Sequence, residues 1–176
     1  MNIAIVGATG NVGRKTLEVL EKKGLTLGNL YLVASSKSAG KKIHFQGKDI
    51  VVSELENFDF SKVKIAFFAA GGKISEKFAE KAAKHCLVID NSSFFRMDPD
   101  VPLIVPQVNS DALNNIKKNI IANPNCSTAQ LVIALKPLHD LFIIKRIVVS
   151  TYQSVSGAGK ASMDELIKQT KLAFRW

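Results

Sequence analysis

The chain has 176 residues, 47% of them hydrophobic, with two cysteines and a formal net charge of +9. No apolar run reaches the roughly 18 residues that cross a bilayer, and two cysteines form no disulfide framework, so we expect a cytoplasmic protein without a membrane partner. The lysines are spread over many segments instead of forming a stripe interleaved with aromatic residues, which argues against nucleic acid and favours small phosphorylated molecules.

The first predicted elements are a buried strand, a glycine-rich turn and a helix. Ile3 to Val6 is a continuous apolar run, as expected for a parallel strand covered on both faces. The turn from Gly7 to Gly13 (GATGNVG) leads into a helical pattern that ends near Gly24. Glycines in such a turn let the backbone approach a pyrophosphate, which the helix N-terminus then holds. The position of the turn directly after a buried strand favours a nucleotide site over a simple tight turn.

The end of the second predicted strand indicates which nucleotide is bound. Leu30 to Ala34 is apolar, and Ser35 to Gly40 (SSKSAG) follows it, with no acidic residue before Asp49. An NAD site normally places Asp or Glu there to bind the ribose 2′-hydroxyl, whereas hydroxyl groups and a lysine suit a 2′-phosphate. The sequence therefore favours NADP, and the alternative is an ordinary polar loop in a lysine-rich protein.

Strands and helices continue to alternate through the middle of the chain. A hairpin is predicted around Gln46-Gly47, strands over residues 63–70 and 86–90, and a helix from about Ser75 to His85. Cys86 opens the second of these strands, so we expect it in the core.

A polar loop, Asn91 to Arg96, follows that strand at the edge where ligands of open α/β sheets bind. Arg96 is suited to bidentate binding of a carboxylate or phosphate, although a surface ion pair is the commoner role of an arginine.

The segment from Asn123 to Thr128 (NPNCST) places a cysteine where a strand gives way to a helix. Residues 119–122 are predicted as a short strand, and Asn125 is expected to cap a helix that runs to about Leu141. In the first turn, the helix dipole and unpaired N–H groups favour a thiolate at Cys126 and could hold an oxyanion. The local pattern fits a buried apolar cysteine equally well.

The last predicted elements are a long strand from Lys145 to Gln153, a loop containing Ser156 and Gly157, and a helix from about Ala161. The sequence predicts an α/β fold with a Rossmann-like doubly wound parallel sheet over residues 1–124. Residues 125–176 are expected to begin a second, α+β catalytic and dimerisation domain that is truncated.

The order of these motifs resembles the bacterial type of aspartate-semialdehyde dehydrogenase. The resemblance rests on five segments: GATGNVG at Gly7, SSKSAG at Ser35, DNSSFFR at Asp90, NPNCST at Asn123 and STYQ at Ser150. It implies an NADP-dependent oxidoreductase that reduces aspartyl phosphate to aspartate semialdehyde through a cysteine thioester, for lysine, threonine and methionine biosynthesis. Phosphate and the semialdehyde would be the other small-molecule ligands, and no metal is implied.

The resemblance also implies a role for each candidate residue. Cys126 would be the catalytic nucleophile, and Gln153, Arg96 and Asn125 would bind the substrate. The cofactor would contact Thr9, Gly10, Asn11 and Val12 through its pyrophosphate, Lys37 and Ser38 through its 2′-phosphate, and Ser156 and Gly157 near the nicotinamide.

The chain departs from that family in its length. Members are roughly twice as long, form homodimers, and take a catalytic histidine from their second half, so we expect this chain to be an inactive fragment. A related acyl-phosphate reductase, acetylglutamyl-phosphate reductase, is an alternative that the residues around Cys126 disfavour. A non-catalytic remnant that binds NADP or a partner chain is another.

Overall fold

The structure is a computed structural model that describes residues 1–174. They divide into two compact units, Met1–Ile143 and a second unit from Ile144 onward. Within residues 1–174, none of the helices is both long and apolar enough to cross a bilayer.

The first unit is built on a seven-stranded sheet. Its strands are β1 (Ile3–Val6), β2 (Leu30–Ala34), β3 (Lys42–Phe45), β4 (Lys48–Glu54), β5 (Ile65–Phe68), β6 (Leu87–Asp90) and β7 (Ile120–Ala122). The strand order is β3-β4-β2-β1-β5-β6-β7, and every pair is parallel except the β3–β4 hairpin at one edge. From β1 the chain forms β2, β3 and β4 on one side of β1, and it then crosses over to form β5, β6 and β7 on the other side. Strand β1 therefore lies at the topological switch point, where such sheets bind ligands.

Four α-helices accompany this sheet. They are α1 (Asn11–Lys22), α2 (Gly72–Ala83), α3 (Pro106–Asn109) and α4 (Cys126–Phe142). Short 3-10 turns cover residues 36–38, 60–62 and 110–115. Helix α2 begins at Gly72, somewhat before the predicted start near Ser75, because the turn at Gly71 already admits the first helical hydrogen bonds.

The two long helices before the cysteine segment lie on opposite faces of the sheet. Ala4 and Val6 of β1 belong to the same buried cluster as Phe78 of α2. Ile5, between them, belongs to the cluster that contains Leu17 of α1. Successive side chains of a strand point to opposite faces, so α1 covers one face and α2 the other. The predicted doubly wound fold is therefore confirmed.

The second unit is mostly helical. A 3-10 turn at Val155–Ala158 precedes α5 (Lys160–Ala173), as predicted from about Ala161. The predicted strand from Lys145 to Gln153 is wrong, because residues 143–154 have no regular secondary structure. Exposed side chains such as Val148 line this stretch. Its β-branched composition favours a strand only where a neighbouring strand pairs with its backbone, and the described part of this unit contains none.

Candidate active site

The glycine-rich turn closes tightly against the start of the sheet. Gly7 has φ +85°, and a Cβ there would lie 2.7 Å from the Ala69 carbonyl oxygen. A Cβ on Gly13 would lie 2.3 Å from the Gly7 carbonyl oxygen, so α1 can approach the turn only with glycine here. Gly10 caps α1 without a side-chain hydrogen bond, so the amides of the first turn can serve an anion.

The second candidate cofactor loop touches the first. The Thr9 hydroxyl donates to the Ser38 Oγ at 3.4 Å, which joins the turn after β1 to the 3-10 turn after β2. Lys37, in the same 3-10 turn, is exposed and has no ion pair within residues 1–174. The two loops therefore lie next to each other. A site that binds both a phosphorylated ribose and a pyrophosphate requires this arrangement.

A buried carboxylate organises the loop after β6. Asp90 is 0% exposed and accepts hydrogen bonds from the Ser75 hydroxyl at 2.6 Å and the Ser92 hydroxyl at 2.6 Å. The Ser92 amide also donates to Asp90 at 3.1 Å. A buried charge is tolerated when hydrogen bonds replace its hydration, so this network fixes where the polar loop leaves the sheet.

Arg96 is held in place by backbone carbonyl groups. Its Nε donates to the Asn123 oxygen at 2.8 Å, and its Nη2 donates to the Asn91 oxygen at 3.2 Å. The Asn123 side-chain amide donates to the Asn91 Oδ1 at 2.6 Å, which ties the ends of β6 and β7 together. A guanidinium has five N–H groups, so the two carbonyl contacts orient Arg96 and leave donors for an anion.

Cys126 is the first residue of α4 and is exposed. The Asn125 side chain caps the helix by accepting from the Ser127 amide at 2.9 Å, as predicted. The Cys126 thiol donates to the same Asn125 oxygen at 3.8 Å. The thiol therefore lies at a helix N-terminus beyond the carboxyl end of β7, which is the geometry of an accessible nucleophile.

Cys86 is the opposite case. Its residue is 6% exposed, and its thiol donates to the Ala82 carbonyl at 3.4 Å. Burial raises the pKa of the Cys86 thiol to about 11 because desolvation disfavours the thiolate. Cys86 is therefore a core residue, as the sequence predicts.

Three candidate residues lie in the second unit. The Gln153 side chain donates to the Thr151 hydroxyl at 3.4 Å. The amide of Ser156 donates to the Ser154 Oγ at 3.3 Å, and the amide of Gly157 donates to the Ser154 carbonyl at 3.1 Å. All three stand in or beside the 3-10 turn before α5, so this unit presents them on one short segment.

Sequence reasoning missed the residues that hold the candidate groups in position. Ser75, Asn91 and Asn123 act through contacts between segments 15 and 32 residues apart. The signal available was the cluster of small polar residues at consecutive strand ends. Within residues 1–174, no group of three or more His, Cys, Asp or Glu residues could hold a metal ion.

The fold and the glycine turn define a Rossmann-like nucleotide-binding domain, followed by a helix with an accessible cysteine. The family model described as semialdehyde dehydrogenase, NAD binding domain, matches residues 2–116, and the model for the dimerisation domain matches residues 135–175. The chain belongs to the semialdehyde dehydrogenase family, which confirms the resemblance seen in the motifs.

Named relatives agree with this assignment. Aspartate-semialdehyde dehydrogenase of Rickettsia bellii is 53% identical over 172 residues, which are 97% of this chain and 51% of that protein. Aspartate semialdehyde dehydrogenase II of Vibrio cholerae, in a crystal structure with ASA, has a TM-score of 0.92 at 53% identity, covering 97% of this chain and 51% of that one. The enzyme of Candida albicans, in a crystal structure with NADP, has a TM-score of 0.65 at 29% identity, covering 81% and 48%. The chain spans about half the length of the curated relatives it matches.

Proposed function

We propose that this chain forms the cofactor-binding part of an NADP-dependent aspartate-semialdehyde dehydrogenase in which Cys126 is the nucleophile. The observation that carries the proposal is the exposed Cys126 thiol in the first turn of α4, directly beyond the sheet edge where ligands bind. Residues 1–124 hold the cofactor, and residues 125–176 begin the catalytic domain.

The residues present fit NADP. The glycine turn has no room for side chains at Gly7 and Gly13. Thr9 to Val12 surround the N-terminus of α1, where the helix dipole favours a pyrophosphate. Lys37 and Ser38 take the 2′-phosphate, and the family resemblance assigns Ser156 and Gly157 to the nicotinamide. When bound, the reduced cofactor supplies hydride. The NADP named for the Candida albicans relative supports this choice.

The substrate is aspartyl phosphate, and the chemistry begins at sulfur. The Cys126 thiolate attacks the acyl carbon, a C–S bond forms, and the bond to phosphate breaks, which leaves a thioester. Arg96, already oriented by two carbonyl groups, binds the phosphate together with Asn125. The family resemblance assigns Gln153 to the substrate as well, as the residue that orients its acyl chain. Hydride and a proton added to the thioester release aspartate semialdehyde and return the thiol, so the electrons balance.

The product serves the biosynthesis of lysine, threonine and methionine in the cytoplasm, and the working enzyme is a homodimer. Helices α4 and α5 have no buried side chain within residues 1–174, although both carry exposed large apolar residues. The match of residues 135–175 to a dimerisation domain supports a further protein surface over this part of the chain.

The test is acylation of the chain by aspartyl phosphate without cofactor. Attack on an acyl phosphate needs no hydride, so intact-mass and peptide analysis should find one aspartyl group on Cys126, released by hydroxylamine as thioesters are. Cys86→Ala is the matched control and should acylate normally, whereas Cys126→Ala should not. Equal acylation of Cys126→Ala and the unmodified chain would contradict the proposal.

A further inference from the structure

Arg14 lies in the first turn of α1 and contacts the glycine-rich turn. Its Nε donates to the Thr9 carbonyl oxygen at 3.3 Å, which draws the guanidinium back towards the glycine turn. Thr9 in turn donates through its hydroxyl to Ser38 of the loop after β2. Thr9 therefore connects Arg14 to the loop that carries Lys37.

The charge of Arg14 is uncompensated, unlike that of its neighbours on α1. Lys15 and Lys22 lie 2.7 and 2.8 Å from the two carboxylate oxygens of Glu18. Arg14 forms no ion pair within residues 1–174, and α1 has no acidic residue in its first turn. The bond to Thr9 uses one of the five guanidinium donors and leaves the two Nη groups for an anion.

We propose that Arg14 binds the cofactor's 2′-phosphate together with Lys37, and so helps to determine the preference for NADP over NAD. The inference rests on the proposed function. A 2′-phosphate carries close to two negative charges, and a planar guanidinium pairs with two of its oxygens, whereas a lysine acts as a point charge. Because NAD lacks this phosphate, the contribution of Arg14 appears only with NADP.

The experiment titrates the 176-residue chain with NADPH and with NADH, using cofactor fluorescence, and compares the ratio of the two dissociation constants. Arg14→Gln should lower the preference for NADPH about tenfold, or about 1.4 kcal/mol. Lys15→Gln, which removes the adjacent charge on the same helix, should leave the ratio unchanged within twofold. Arg14 is exposed, and thermal melts of both variants report whether each remains folded.

The titration distinguishes failure of the inference about Arg14 from failure of the NADP assignment. Equal weakening of NADPH and NADH by Arg14→Gln would overturn the inference, since it would place Arg14 at the pyrophosphate that both cofactors share. An unchanged ratio would overturn it as well. Absence of any preference in the unmodified chain would instead contradict the NADP assignment of the proposed function, before any variant is considered.

Discussion

Gly13→Ala should destabilise the protein and abolish cofactor binding, because the space behind Gly13 is filled by backbone. The added Cβ would lie 2.3 Å from the Gly7 oxygen and 2.8 Å from the Ala8 Cα, whereas ordinary contact begins near 3.4 Å. The turn or the helix must therefore move by about 1 Å. The turn is anchored by the Gly7 amide, which donates to the Val33 carbonyl at 2.8 Å, so it cannot move freely.

Overpacking of this kind costs about 1–3 kcal/mol, although alanine is a better helix former than glycine by roughly 1 kcal/mol. We expect a net loss of up to about 2 kcal/mol in the free energy of unfolding, measured by urea denaturation followed by circular dichroism. Gly72→Ala is the matched control. Gly72 also begins a helix, but its nearest neighbour to a Cβ is the Ser93 Oγ at 3.9 Å, so this variant should be neutral or slightly stabilised. Equal stability of the two variants would refute the reasoning, as would undiminished NADPH binding by Gly13→Ala.

Four further predictions concern single groups. Iodoacetamide at neutral pH should modify Cys126 before Cys86, because the Cys86 pKa of about 11 keeps that thiol protonated until strongly alkaline pH. Faster labelling of Cys86, read by peptide mass, would count against the placement of Cys126 at the exposed N-terminus of α4. Lys37→Glu should erase or reverse the preference for NADPH in fluorescence titrations, and equal cofactor affinities before the change would dismiss the loop assignment. Asp90→Ala should lower the free energy of unfolding by about 3 kcal/mol, because it leaves the buried Ser75 and Ser92 hydroxyl groups without their acceptor. An unchanged urea midpoint would contradict a stabilising role for these hydrogen bonds. The 176-residue chain should show no phosphate-dependent NADPH formation from aspartate semialdehyde above a Cys126→Ala control, and robust turnover would show that it contains its own acid–base group.

The last of these predictions follows from where the histidines lie. His85 lies before the amino end of β6, whereas Cys126 lies beyond the carboxyl end of the neighbouring parallel strand β7, so the two residues are at opposite ends of the strands. His139 is 13 residues beyond Cys126 on α4, roughly 20 Å along the helix axis. His44 pairs with Asp49 on the edge hairpin at 3.0 Å. None of the three histidines is therefore placed beside the Cys126 thiol to supply general acid–base catalysis, which is worth roughly 10²–10⁴-fold.

Much of the fold could be predicted from the sequence because its strongest signals are local. Strands covered on both faces, such as Ile3–Val6, are continuous apolar runs, and all four residues are buried. Asn125 predicts the start of α4 because a cap acts on the next two residues.

The features that could not be predicted depend on contacts made at a distance along the chain. The segment Lys145–Gln153 has strand-like composition, but a strand exists only when a neighbour pairs with it. Arg14 looks like any charged residue on a helix surface until its contact with Thr9 is known. The orientation of Arg96 depends on Asn123, 27 residues later.

The placement of the two cysteines sets how the protein responds to oxidants. Cys86 lies before the amino end of β6, and Cys126 lies beyond the carboxyl end of the neighbouring parallel strand β7. The two cysteines are therefore separated by at least the length of a strand, about 13 Å. A disulfide requires Cα atoms within roughly 7 Å of each other. A sulfenic acid formed on Cys126 therefore has no resolving thiol within these 176 residues, and a soluble thiol such as glutathione must cap it before irreversible overoxidation.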